Sequence, residues 1–179
     1  MINNTITNIE QISEQIFELA HEAMLSDEVP VASVVCMNTN PDVGKTLDAF
    51  INGENITGMK IIGEGINQIV NTKDPTAHGE MLALRRACRE LNSERLANSF
   101  IITTLEPCIM CAGSIILARL EAVVYFAPTQ TGLGMAALFQ QNPDVTHAFN
   151  HYPKLHHLKE YENRASEMLR SFFRLKRSP

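Results

Sequence analysis

Two short segments hold the residue types that do metal and proton chemistry: His78-Gly79-Glu80 and Pro107-Cys108-Ile109-Met110-Cys111. One imidazole and two thiolates are three good ligands for zinc, which takes four in a tetrahedron. Three from protein leave the fourth position to water, the pattern of a catalytic rather than a closed structural site. Cys108 and Cys111 stand three apart, so on a helix they share a face. In the first turn, free N–H groups and the positive end of the helix dipole favour thiolate over thiol. Glu80 is two residues from His78 and cannot point the same way on a helix, but it can reach past the metal toward the open position. It reads as a proton carrier, not a fourth ligand. Zinc lowers the pKa of a bound water to about 7, so the set reads as hydrolytic, with Glu80 taking the water proton and passing it on. A lone C-x-x-C also suits a redox pair or half a zinc ribbon; here it occurs together with H-x-E.

The elements that must position these residues follow from periodicity. Ile9, Ile12, Ile16, Leu19, Ala20 and Ala23 recur at three and four, one face of a helix that ends by Pro30. Val31 to Met37 and Met59 to Ile66 read as strands. Asn38 to Gly58, with Asn40-Pro41 and glycines at 44, 53 and 58, reads as a long inserted loop between them, and Asn67 to Lys73 as a second loop. Asp74-Pro75 has the form of an N-cap followed by proline, which predicts a second helix starting close to His78. Phe100 to Leu105 is a strand, Cys108 to Leu120 a helix apolar nearly all round, and Ala122 to Phe126 another strand. Each segment that could do chemistry therefore opens a helix that follows a strand. Strand, helix, strand with a buried helix implies an α/β layer fold with partly parallel pairing. Leu133 to Gln141 reads as a short helix, and the stripe through Leu158, Tyr161, Ala165, Leu169 and Phe172 as a closing one at about 158–176.

The 179 residues suit one domain, 1–179, and at 45% hydrophobic and 20% charged the composition excludes disorder and a disulfide miniprotein. No run approaches the roughly 18 apolar residues of a membrane span. Met1 to Glu10 lacks a basic stretch before an apolar one, so no secretory signal is read and the expected location is cytoplasmic. There the four cysteines stay reduced. Cys36 and Cys88 read as core residues, Phe172 as core packing, and His147, His151, His156 and His157 as ordinary histidines, without the spacing of a second metal site.

H-x-E with P-C-x-x-C is the signature of zinc nucleobase deaminases, and the chain resembles the cytidine deaminase superfamily, within it the tRNA adenosine deaminases. The matching segments are Glu28-Val29-Pro30-Val31, Gly63-Glu64-Gly65 with Asn67, Asp74 to Glu80, Leu105 to Gly113, Thr131-Gly132, Asn150-His151 and Phe172-Phe173-Arg174. The resemblance implies a three-layer α/β/α fold around a five-stranded mixed sheet, a homodimer, and one zinc per chain held by His78, Cys108 and Cys111. It also implies Glu80 as the catalytic proton carrier and a purine-binding role for Asn67; without it, Asn67 reads as a turn residue. Three features depart from the family pattern. Gly79 stands where alanine is common, the 38–58 segment is long, and the loop Ala127 to Gly132 is short and lacks the acidic residue that precedes Thr-Gly in bacterial tRNA deaminases.

Three functions stay open on the sequence. The leading one is a zinc-dependent hydrolytic deaminase of a purine-type base, adenosine to inosine in the tRNA anticodon arm. The others are a deaminase of a free guanine- or cytosine-type base, whose relatives share Asp-Pro-Thr-Ala-His, and a non-catalytic zinc scaffold or RNA-binding partner. The net charge of −5 argues against binding nucleic acid by charge alone. It is uneven, however: from Lys159 onward six basic residues face three acidic ones, so the closing helix can offer charge to a phosphate backbone.

Overall fold

A computed structural model describes residues 5–39, 43–129, 134–141 and 149–177. A two-residue strand β1 (Thr5–Ile6) leads into helix α1 (Ile9–Leu25), whose first turn is capped by Asn8 Oδ1 accepting the Gln11 N–H at 2.9 Å. Strand β2 (Ala32–Asn38), helix α2 (Val43–Ile51) and strand β3 (Met59–Ile66) follow, then a one-turn helix α3 (Ile69–Thr72) and helix α4 (Gly79–Leu91). Next come β4 (Ser99–Leu105), α5 (Ile109–Leu117), β5 (Ala122–Ala127), α6 (Met135–Gln141), β6 (Lys154–His157) and α7 (Lys159–Arg177).

The strands form one mixed sheet in the order β1-β3-β2-β4-β5-β6. β4, β5 and β6 run parallel, with α5 and α6 as crossovers, while β1, β3, β2 and β4 pair antiparallel. The five strands β2 to β6 are the five-stranded mixed sheet of the expected α/β/α fold, and β1 adds a short edge. Side chains alternate across this sheet with period two. Val34, Cys36, Phe100, Ile102, Val124 and Phe126 join one core with α1, α2 and α7. Val35, Ile101 and Val123 join the other with α4, α5 and α6. Burial on both faces is why β4 and β5 read as continuous apolar runs.

The loop expected at 38–58 is corrected: it contains α2, with Leu47 and Phe50 almost fully buried and the Phe50 ring 5.8 Å from that of Phe100. Only three apolar positions, Leu47, Phe50 and Ile51, carry that stripe, too few to stand out between polar and glycine-rich flanks. The 67–73 loop holds α3. Asp74-Pro75 does not open α4; Asp74 Oδ1 instead closes a local turn by accepting the Thr76 N–H at 2.8 Å, and the helix starts at Gly79. Residues 130–133, with the Thr131-Gly132 match and the expected start of α6 at Leu133, and residues 142–148, with His147, lie outside the described residues.

Candidate active site

The C-terminal ends of β3, β4 and β5 share one edge of the sheet, where α/β folds place ligands. Two helices open there. β3 presents Gly63 and Gly65 to α4, and neither position has room for a side chain. A Cβ on Gly65 would overlap Gly79 O and sit 2.6 Å from Ala83 N, and one on Gly63 would overlap Ala83 O and sit 2.7 Å from Ala87 N. This close approach fixes the first turn of α4 against the sheet. Asn67 O δ1 then accepts the Gly79 N–H at 2.8 Å, capping the helix from outside its own chain segment. Asn67 is buried and its own N–H donates to Val31 O. Its Nδ2H2 end is left for other partners.

His78 and Cys108 occupy the N-cap positions of α4 and α5 with extended backbone, and neither side chain caps its helix. Both project into the site instead. Cys111 lies three residues into α5, beside Cys108. His78 Nδ1, Cys108 Sγ and Cys111 Sγ form a triangle with three edges of 3.7 Å. Zinc bonds of about 2.3 Å to sulfur and about 2.0–2.1 Å to nitrogen, at tetrahedral angles, require edges of about 3.8 and about 3.6 Å. The triangle therefore fits the ion. Among the described residues it is the one group of three or more His, Cys, Asp or Glu side chains that could hold a metal.

Glu80 is buried at 3% exposure, and its Oε2 has no hydrogen-bond partner. Burial pushes its carboxyl up to about 7 against the pull of His78. Hydrogen bonds from Cys111 and His78 bring the Cys108 thiol down to about 3, while donation to Cys108 and burial push Cys111 up. The hydrogen bond with Cys108 raises His78. A divalent cation inside the triangle supplies the positive charge that lets both sulfurs ionise together. The geometry thus brings together His78, Glu80, Cys108 and Cys111, with Asn67 fastened to the same helix start.

Sequence reasoning gave no role to two buried carboxylates. Glu28 Oε1 accepts the Asn71 N–H at 2.8 Å, tying the chain before β2 to α3. Glu106 accepts the Thr129 N–H at 2.9 Å and the Ala136 N–H at 2.8 Å. The available signal was a charged residue abutting an apolar run. Away from the site, Cys36 is fully buried and Cys88 half-buried. His151 and His157 each place Nε2 on a backbone carbonyl, of Leu120 and Phe126 respectively. Phe172 is buried, and Phe173 is 43% exposed.

Sheet, paired helix starts and ligand triangle define a zinc deaminase fold. Residues 6–127 match the family described as the cytidine and deoxycytidylate deaminase zinc-binding region, and the chain belongs to that family, with zinc as its cofactor. Among relatives, a tRNA-specific adenosine deaminase of Aquifex aeolicus (strain VF5) is 38% identical over 136 residues, 70% of this chain and 85% of that protein. A guanine deaminase of Bacillus subtilis (strain 168) is 38% identical over 107 residues, 60% of this chain and 64% of that one. A solved structure from work on A-to-I editing by tRNA:A34 deaminases superposes with a TM-score of 0.70 at 26% identity, covering 90% of this chain and all of its own.

Proposed function

We propose that the chain, as one domain, is a zinc-dependent hydrolytic deaminase of a purine-type base, converting adenosine to inosine in tRNA. The observation that carries this reading is the buried, unpartnered Glu80 Oε2 on the same helix start as the His78, Cys108 and Cys111 triangle. These three residues would hold zinc, which when bound acts as a Lewis acid and activates water. Glu80 takes a proton at Oε2 and delivers it to the ring nitrogen of the base, so that the exocyclic amine leaves as ammonia. Asn67, its carbonyl committed to Gly79, offers Nδ2–H to an acceptor on the base edge. A site built to pair that edge discriminates against bases that leave its donors unpaired. A non-catalytic scaffold would have no use for Glu80.

Support for an RNA substrate comes from where the closing helix ends. Lys176 pairs with Asp27 just past α1, and neighbouring Ser26 O accepts Asn71 Nδ2 of α3 at 3.1 Å. The basic end of α7 therefore lies on the side of the molecule that carries the turn after Asn67. A homodimer is supported by α5, which turns Ile109 and Leu117 to solvent at 57% and 73% exposure with open space at Gly113 between them. No helix among the described residues is long and apolar enough to cross a membrane. We place the protein in the cytoplasm, where thiolate ligands stay reduced. The acidic net charge and the similarity to a guanine deaminase favour the second reading, a free-base deaminase.

The deciding experiment incubates zinc-loaded protein with an adenosine-bearing anticodon stem–loop and, separately, with free guanine, cytosine and adenine. Inosine in the digested RNA is the expected result. Ammonia released from a free base alone replaces the RNA reading with the second one.

A further inference from the structure

We propose that Glu106 is a positioning residue that fixes the substrate-side wall of the site, an inference that rests on the deaminase reading above. Glu106 stands between β4 and Pro107-Cys108, 5% exposed. Its two carboxylate oxygens accept different backbone N–H groups. Oε2 takes that of Thr129, two residues past β5, and Oε1 takes that of Ala136, in the first turn of α6. One side chain thus fastens both ends of the connection between β5 and α6. Its own N–H donates to Ala127 O at 2.8 Å, so the strut is anchored at its root as well.

What is fastened lies directly against a metal ligand. Gly134 forms an isolated β-bridge with Cys108, and the Met135 N–H donates to Pro107 O at 3.0 Å. Gly134 is also the residue that passes closest to the strut, since a Cβ there would overlap the Glu106 carboxylate. Only a carboxylate serves both N–H groups: a glutamine keeps one acceptor and turns a donor on the other N–H. Bonds from N–H to an ionised acceptor are stronger than neutral ones, and a buried acceptor lost on one side leaves its donor unsatisfied. Glu106 touches none of His78, Glu80 or Cys111 through its carboxylate, so its effect falls on how the base is held, not on the reacting groups.

The test compares Glu106→Gln and Glu106→Asp with the unaltered zinc-loaded chain. Zinc content, amide hydrogen exchange by NMR, and kcat and KM on the anticodon stem–loop and free bases are measured. In Glu106→Gln the Thr129 or the Ala136 amide exchanges at least tenfold faster. The Met135 amide is unchanged, zinc content is preserved, and KM rises at least tenfold while kcat falls less than twofold, the signature of lost uniform binding. Glu106→Asp, which keeps both acceptors on a shorter arm, recovers part of the KM. Unchanged exchange at both amides, unchanged KM, or loss of zinc in step with kcat each overturn the proposal. If the unaltered chain turns over neither RNA nor free base, the deaminase reading fails, and the exchange rates and zinc content still decide the strut.

Discussion

At the residue scale the site separates metal holding from proton transfer. Glu80→Ala should keep zinc at the level of the unaltered chain and lose turnover by about 10²–10⁴-fold, the usual worth of a general acid–base. Metal analysis and single-turnover assays check this, and zinc lost from that variant would make Glu80 a ligand. Cys108→Ala should lose the metal and melt at lower temperature, because metal binding and folding are linked. A second residue sets a pH dependence away from the site. His156 Nε2 is buried with no hydrogen-bond partner, and burial holds its imidazole below the ordinary 6.5 against the pull of Asp48, with Lys154 pushing the same way as burial. As pH falls through 6.5 the unfolded chain takes the proton first, so stability declines until the folded imidazole titrates too. Urea midpoints at about pH 7.5 and about pH 5.5 should therefore differ more in the unaltered chain than in His156→Gln. The ligand set was legible in the sequence because imidazole, thiol and carboxyl at those spacings have few other uses together. Glu28 and Glu106 were not, because a residue that accepts backbone N–H groups across 43, 23 and 30 positions leaves no local pattern.

At the element scale, the seating of α4 on β3 sets where His78 stands. Gly65→Ala would push Gly79 O away, displacing the helix start and weakening zinc binding by about 10–100-fold, the usual cost of disturbing the groups that orient a ligand. A competition titration with a chromogenic chelator measures this, and unaltered affinity would mean that α4 tolerates the shift. The inserted helix α2 makes the opposite case. Phe50 is fully buried in the core on the far face of the sheet from α4 and α5. Phe50→Ala should cost about 3–5 kcal/mol, seen as a lower urea midpoint, with kcat per folded molecule unchanged. A fall in kcat would instead couple α2 to the site. Long strands and helices were legible from period alone, whereas α2 needed Phe100 and the sheet to give its short stripe a partner.

At the scale of the whole molecule, α5 read as apolar all round, yet one copy of the chain covers only one side of it. Leu117→Glu together with Ile109→Glu should convert a dimer to a monomer in sedimentation velocity, by placing charge on the face that a second copy would cover. An unaltered chain that sediments as a monomer would overturn the dimer. The uneven charge takes on geometry in the same way. Arg170 and Arg174 both hold Glu167 within α7, and Arg164 holds Glu14 of α1, so much of the helix's basic excess is already paired inside the fold. Lys176, paired with Asp27, marks where the positive end of the helix comes to rest.

The sequence by itself determined the fold class, the ligand set with its proton carrier, and the period-two strands, because each depends on residue types at short and regular spacing. Tertiary structure decided what joins distant segments: the 3.7 Å triangle across thirty residues of chain, Asn67 as the cap of α4, α2 as part of the core, and Glu106 as the strut beside Cys108. Such contacts depend on which strands become neighbours, and no local spacing encodes that; it is settled only when the sheet order brings β3, β4 and β5 to one edge.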